Sequence, residues 1–187
     1  MTVVYVIIGI AAILLIMMVS MYNGLVRLRN QKNNAWAQID VQLKRRYDLI
    51  PNLMETVKGY MQHERGTLEA VTNARNLAQQ TASGDVGARS KAESGLSGAL
   101  ARLLVVVENY PDLKASQNFL ALQEELTSTE NKIGFSRQYF NDSVLGLNNK
   151  IQMFPSNIVA TMTGFKLGEF FEITVAEEKE APQISFT

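Results

Sequence analysis

The chain has 187 residues, enough for a domain with a real hydrophobic core. Its 18 basic and 18 acidic residues cancel, which excludes the basic excess that a general nucleic-acid binder needs. There is no cysteine, so disulfides, thiolate catalysis, Cys-ligated zinc and acylation on sulfur are excluded as well.

The first charged side chain is Arg27. Before it, residues 3–22 read VVYVIIGIAAILLIMMVSMY, almost without polar character. At ~1.5 Å per residue this run spans ~30 Å, the thickness of a bilayer's hydrocarbon core. A cleaved signal peptide is the competing reading. It lacks a basic n-region here, the apolar run is long, and VSMYNG has no small-x-small cleavage pattern. The run is read as a retained single-pass anchor. Arg27, Arg29 and Lys32 follow it, so the positive-inside rule puts the N-terminus outside and the remaining chain in the cytoplasm. The same three residues are the candidates for lipid headgroup contact.

Beyond the anchor, Leu25, Leu28, Trp36, Ile39, Leu43, Tyr47, Ile50, Leu53, Val57 and Tyr60 recur mostly three or four apart, one apolar stripe of a helix. Pro51 removes a backbone donor and crowds the preceding turn, so a kink or a break is expected near Tyr47–Ile50. Leu68, Val71, Ala74, Leu77 and Ala78 carry the pattern on to about Gln80. TASGDVGARS is a connection. A second helix follows, with Leu96, Leu100, Leu103, Val107 and Tyr110 on one side, and Pro111 marks its end.

From Ala115 to Phe154 a third helix places Phe119, Leu122, Leu126, Thr129, Ile133, Phe140, Val144, Leu147, Ile151 and Phe154 at near-heptad spacing. Such a narrow stripe buries itself against antiparallel neighbours or against another chain. FPSNIVATMTGF gives a short helix capped by Ser156 or Asn157 and ending at Gly164. After it, five glutamates (Glu169, Glu172, Glu177, Glu178, Glu180) face one lysine, Lys179, with a small apolar tip at Ile184 and Phe186. The expected fold is all-α: a transmembrane helix (residues 1–26) continuing into an antiparallel up-and-down bundle of three long helices and one short one (27–166). An acidic tail (167–187) completes it.

Candidate chemistry is sparse. His63 is the lone histidine, and no second His or paired Glu stands at metal-ligand spacing from it. GDVGARS lacks the Lys-Ser/Thr end of a phosphate loop. The carboxylates Glu124, Glu125, Glu130 and Asp142 read as a solvated helix face. Trp36 lies too far past Arg27 for an interfacial belt and reads as a core anchor. No catalytic, cofactor or metal site is expected, and no small-molecule substrate is evident. The basic run Lys44–Arg45–Arg46 has two readings. The cations flank a buried seam and pair with acids on neighbouring helices, or they contact a second chain, for instance its Glu177, Glu178 and Glu180. A headgroup role is excluded, because Arg45 stands ~27 Å past Arg27 on an upright helix and screening ends such attraction within ~8 Å.

The blocks YNGLVRLRNQKNNAWAQIDVQLKRRYDLIPNLMETVKGY, YPDLKASQNFLALQEELTSTENKIGFSRQYFND and FPSNIVATMTGF, behind an N-terminal anchor, resemble the LemA family of bacterial membrane proteins. The resemblance covers essentially the whole chain. LGLNNKI departs from it, where an aromatic would precede the first Asn. It implies a single-pass protein with a soluble antiparallel helical bundle, N-out and C-in, in which the proline of DLIPNL is a family feature. It implies no biochemical activity, and one branch of relatives is associated with building specialised bacterial membranes.

The function expected is therefore a non-enzymatic scaffold or interaction protein of the bacterial cell membrane. Its expected partners are the lipid bilayer, further copies of itself bound through the long helices, and another membrane protein, with no nucleic acid among them. The alternative is a monomeric adaptor or sensor whose tail, with Ile184 and Phe186, recruits a different envelope or protease partner.

Overall fold

A computed structural model describes residues 1–61, 63–81 and 85–171. Among these residues there are six helices and no strand. They are α1 (Thr2–Lys58), α2 (Arg65–Gln80), α3 (Val86–Val107), α4 (Pro111–Lys114), α5 (Gln117–Gln152) and α6 (Ser156–Met162). The class is all-α, as expected. The tail residues Glu172, Glu177, Glu178, Glu180, Ile184 and Phe186 lie outside the described residues.

The helix count is higher than the sequence pattern implied, and α1 does not break where its proline stands. The amide missing at Pro51 would have bonded the carbonyl of Tyr47, four residues earlier. That carbonyl instead accepts a hydrogen bond from Arg75 Nε on α2, at 2.9 Å. With the orphaned acceptor satisfied, α1 runs unbroken through Pro51 to Lys58. The interruption comes later, and α2 begins at Arg65.

Two compact units form. The first comprises Met1–Ile39 and Gly134–Phe170. In it, α1 and α5 run antiparallel: Trp36 packs on Phe140 with ring centroids 5.1 Å apart, Leu28 lies over Gly146, and the Lys150 stem lies over Gly24. Leu25, Leu147, Val159 and Ala160 make its buried core, flanked by Met21, Leu28, Ile151 and Phe165. The side chains of residues 1–20 are all exposed. This part of α1 is apolar on every side, and by length and composition it is long and apolar enough to cross a bilayer.

α6 ends in a Schellman motif. Gly164 has φ +73°, Phe165 N–H donates to the Ala160 carbonyl (3.0 Å) and Gly164 N–H to that of Thr161 (3.3 Å). The glycine is needed there because an L side chain at positive φ is strained. The expected Ser156 or Asn157 cap is not what forms. Pro155 stands at the N-cap, and the Ser156 hydroxyl turns back to the carbonyls of Lys150 (2.6 Å) and Met153 (2.9 Å), closing the α5–α6 corner. The Phe154–Pro155 peptide is cis. After α6, the Asn148 side-chain amide clamps Gly168 through both its N–H (2.8 Å) and its carbonyl (2.9 Å).

The second unit comprises Asp40–Ile133 and, of the residues after Phe170, Phe171. Its core is built from Leu43, Ile50 and Leu53 of α1, Val71 of α2, Leu96 and Leu103 of α3, Leu113 of α4 and Phe119 of α5, all essentially inaccessible to water. α2 and α3 pack on one another as a helical hairpin. Pro111 opens α4 at a position where its missing N–H costs nothing.

Candidate interaction sites: a buried charge cluster and a membrane-proximal collar

The three cations of the basic run separate completely in the second unit. Lys44 is exposed. Arg45 is exposed too, and pairs with Glu125 of α5. Arg46 is 0% exposed and sits inside the helices. Its Nη2 pairs with the Glu93 carboxylate of α3, and its Nη1 reaches Glu130 of α5 (2.6 Å) and the Ser97 hydroxyl (3.0 Å). The other oxygen of Glu93 accepts the Tyr47 hydroxyl. A second bridge, Arg89 to Asp40 at 2.5 Å, ties α3 to α1 nearby.

The logic of this cluster is electrostatic. An isolated buried charge is severely penalised, so a buried Arg persists only if carboxylates and hydroxyls satisfy its fork of donors. Burial, and then the bond to Glu93, push the Tyr47 hydroxyl well above the usual tyrosine range, so it remains a protonated donor.

Arg46 is therefore removed from the set of residues that could touch a second chain: its partners are Glu93 and Glu130 of its own. Arg45 and Arg46 both pair with acids on neighbouring helices, as the seam reading has it, but Arg46 lies within the seam and does not flank it. The stripe of α5 is likewise taken. Phe119, Leu126, Thr129, Ile133, Phe140, Val144 and Leu147 are buried within the chain's own units, so that seam is not open to another copy. Phe154, placed on the same stripe by its spacing, is 79% exposed.

Glu130, read from the sequence as part of a solvated face, instead turns its carboxylate to Arg46, and Glu93 escaped the sequence reading, yet a signal was there. Glu93 stands in phase with Leu96, Leu100 and Leu103, and Arg46 in phase with Leu43, Ile50 and Leu53. Opposite charges lying on two apolar stripes, rather than beside them, are the mark of a buried pair.

In the first unit, Arg27 is exposed at the end of the span. Arg29 lies over the Phe165 ring, 5.3 Å from its centroid, and Tyr22 meets the same ring edge-on at 6.2 Å. Lys32 is half-buried, its stem against Gly168, where a β-carbon would sit 3.4 Å from both Lys32 and Val144. These residues form a basic and aromatic collar where the apolar run ends.

Among the described residues no group of three His, Asp or Glu is placed to hold a metal ion, and His63 is exposed. An open cleft of about 250 Å³ between α3 and α5 is lined by Leu100, Leu104 and Leu126. Of its polar lining, Ser97 and Glu130 bond Arg46, and Gln123, Thr127 and Asn131 complete it.

The model of the LemA family matches residues 35–186, which is most of the chain. The chain belongs to the LemA family. LemA relatives include protein LemA of Metamycoplasma hominis, 31% identical over 140 residues, covering 74% of this chain and 63% of that protein. Magnetosome protein MamQ 2 of Paramagnetospirillum magneticum is 24% identical over 81% of this chain and 64% of its own length. MamQ of Magnetospirillum gryphiswaldense is 24% identical over 80% of this chain and 64% of its own. The chain thus spans a little under two thirds of the length of these relatives. The LemA membership agrees with a membrane-associated all-helical protein whose first helix is long and apolar enough to cross a bilayer.

Proposed function

We propose that the protein is a membrane-anchored, non-enzymatic helical scaffold of the bacterial cell membrane, oriented N-out and C-in, which assembles with copies of itself. The observation that carries the reading is α1. Its apolar residues 3–22 are almost all exposed, and the same uninterrupted helix supplies Leu25 and Leu28 to the core of the first unit. Anchor and folded unit are thus one element. The non-enzymatic reading is supported by the names of the relatives. The relatives named for the magnetosome carry the name of a structure rather than of a reaction.

Self-association has to use a face the fold leaves open. Phe135 and Tyr139, one helical turn apart on α5, are both exposed, and aromatic side chains are over-represented at interfaces. The test is native mass of the full chain in mild detergent, for the wild type and for F135S/Y139S. A discrete oligomer that becomes monomeric in the double variant, with unchanged helicity, is the expected result. A monomeric wild type overturns self-assembly and returns the tail-mediated adaptor, tested by deleting Gln183–Thr187 and measuring partner recovery.

A further inference from the structure

The antiparallel register of the first unit sets where α5 ends along α1. Trp36 lies beside Phe140, Leu28 beside Gly146 and Gly24 beside Lys150. Each step up α5 is a step down α1 toward the N-terminus. Continued three or four residues beyond Lys150, this register brings Met153 and Phe154 level with about Ser20, inside the apolar run of residues 3–22.

At that level the fold turns an apolar corner outward. Met153 is 61% exposed, Phe154 79%, Ile158 53% and Met162 70%. Ile158 and Met162, four apart, share one face of α6, while Val159 and Ala160 bury the other against Leu25 and Leu147. In water these four side chains would be a liability. Beside a membrane-spanning helix they are continuous with its lipid-facing surface. Basic groups follow the apolar run along the same unit: Arg29 over the Phe165 ring, the half-buried Lys150 with its stem over Gly24, and the exposed Arg27 and Lys166.

We infer that the α5–α6 corner is a second membrane contact. Met153, Phe154, Ile158 and Met162 seat in the headgroup–acyl boundary of the leaflet that α1 leaves at Tyr22, and these basic groups lie among the phosphates. The occupant is the bilayer itself. Lipid is continuous around the span at the depth the register assigns to the corner, and an amphipathic element with cations beside its apolar face is what an interface holds. The inference rests on reading residues 3–22 as a span.

The Cys-free sequence gives a direct test. Single variants F154C, I158C and M162C of the full chain are spin-labelled and reconstituted into phosphatidylcholine–phosphatidylglycerol vesicles. I10C, in the span, and N34C, exposed on α1 ~18 Å past Tyr22, are the reference sites. Collision with oxygen, which partitions into lipid, is compared with collision with a water-soluble nickel chelate. Expected are oxygen-to-nickel ratios at 154, 158 and 162 severalfold above that at 34 and approaching that at 10. If position 10 is in lipid while the corner matches position 34, the inference fails and the anchor stands. If position 10 is itself open to nickel, the anchor reading fails and the inference with it. If the corner is shielded from both reagents and becomes accessible to nickel when the protein is diluted in lipid, a second copy covers it and the bilayer does not.

Discussion

Arg45 and Arg46 are adjacent, chemically identical and energetically unlike. Arg45 holds Glu125 across solvent, where an ion pair contributes at most about 1 kcal/mol. Arg46 holds Glu93 out of water, and removing one partner of a buried pair costs about 3–5 kcal/mol because the other charge is stranded. In full chains unfolded by denaturant in detergent, R45A is therefore expected to be near wild type and E93A severely destabilised. The triple variant R46M/Y47F/E93L replaces the buried charges with apolar groups of similar size and should recover most of that loss. Equal effects of R45A and E93A would refute the assignment. The cluster also has a pH signature. The Tyr47 hydroxyl is held above its unfolded value, which lies near 10. The folded chain then binds this proton more tightly than the unfolded one, so the contribution is full below pH 10 and falls as pH rises above it. The stability gap between wild type and Y47F should accordingly narrow from pH 9 to pH 11. A gap that stays constant would mean that Tyr47 titrates normally.

At the scale of elements, the proline in DLIPNL is tolerated because Arg75 replaces the missing amide as a donor. Removal of a hydrogen bond from a charged donor costs about 1.5–3 kcal/mol, and R75A should lose about that much in the native sequence. In a P51A background a backbone N–H at position 51 is restored to the Tyr47 carbonyl, and the cost of R75A should fall sharply. A double-mutant cycle with no coupling would sink this account. The pair also shows where sequence reading stops. The helices were legible, because Leu96, Leu100 and Leu103 or Phe140, Val144 and Leu147 recur at helical period. The Schellman end of α6 was legible from Gly164. The continuity of α1 was not, since the donor that permits it lies on another helix, 28 residues away. Likewise, the spacing of Phe154 placed it on the α5 stripe, but only the register against α1 shows that the stripe passes out of the core there.

At the scale of the whole molecule, the turns of α1 that follow the apolar run belong to the first unit. The core of the first unit is closed by Leu25, with Met21 and Leu28 packed beside it, and all three precede Lys32. A chain truncated to begin at Lys32 would be the natural choice for a soluble fragment, yet it strips these side chains from Leu147, Val159, Ala160 and Phe165. Deleting a single buried leucine already costs about 2–5 kcal/mol, and here one buried and two partly buried apolar side chains go together. The charge cluster draws only on residues 40–133 and loses no member. Amide exchange should therefore divide the truncated chain. Residues 156–165 should lose their protection relative to the full chain, while α2 and α3 keep theirs. Retained protection across α6 would show that the first unit folds without the membrane-proximal turn of α1. Loss of protection everywhere would show that the second unit cannot stand without the first.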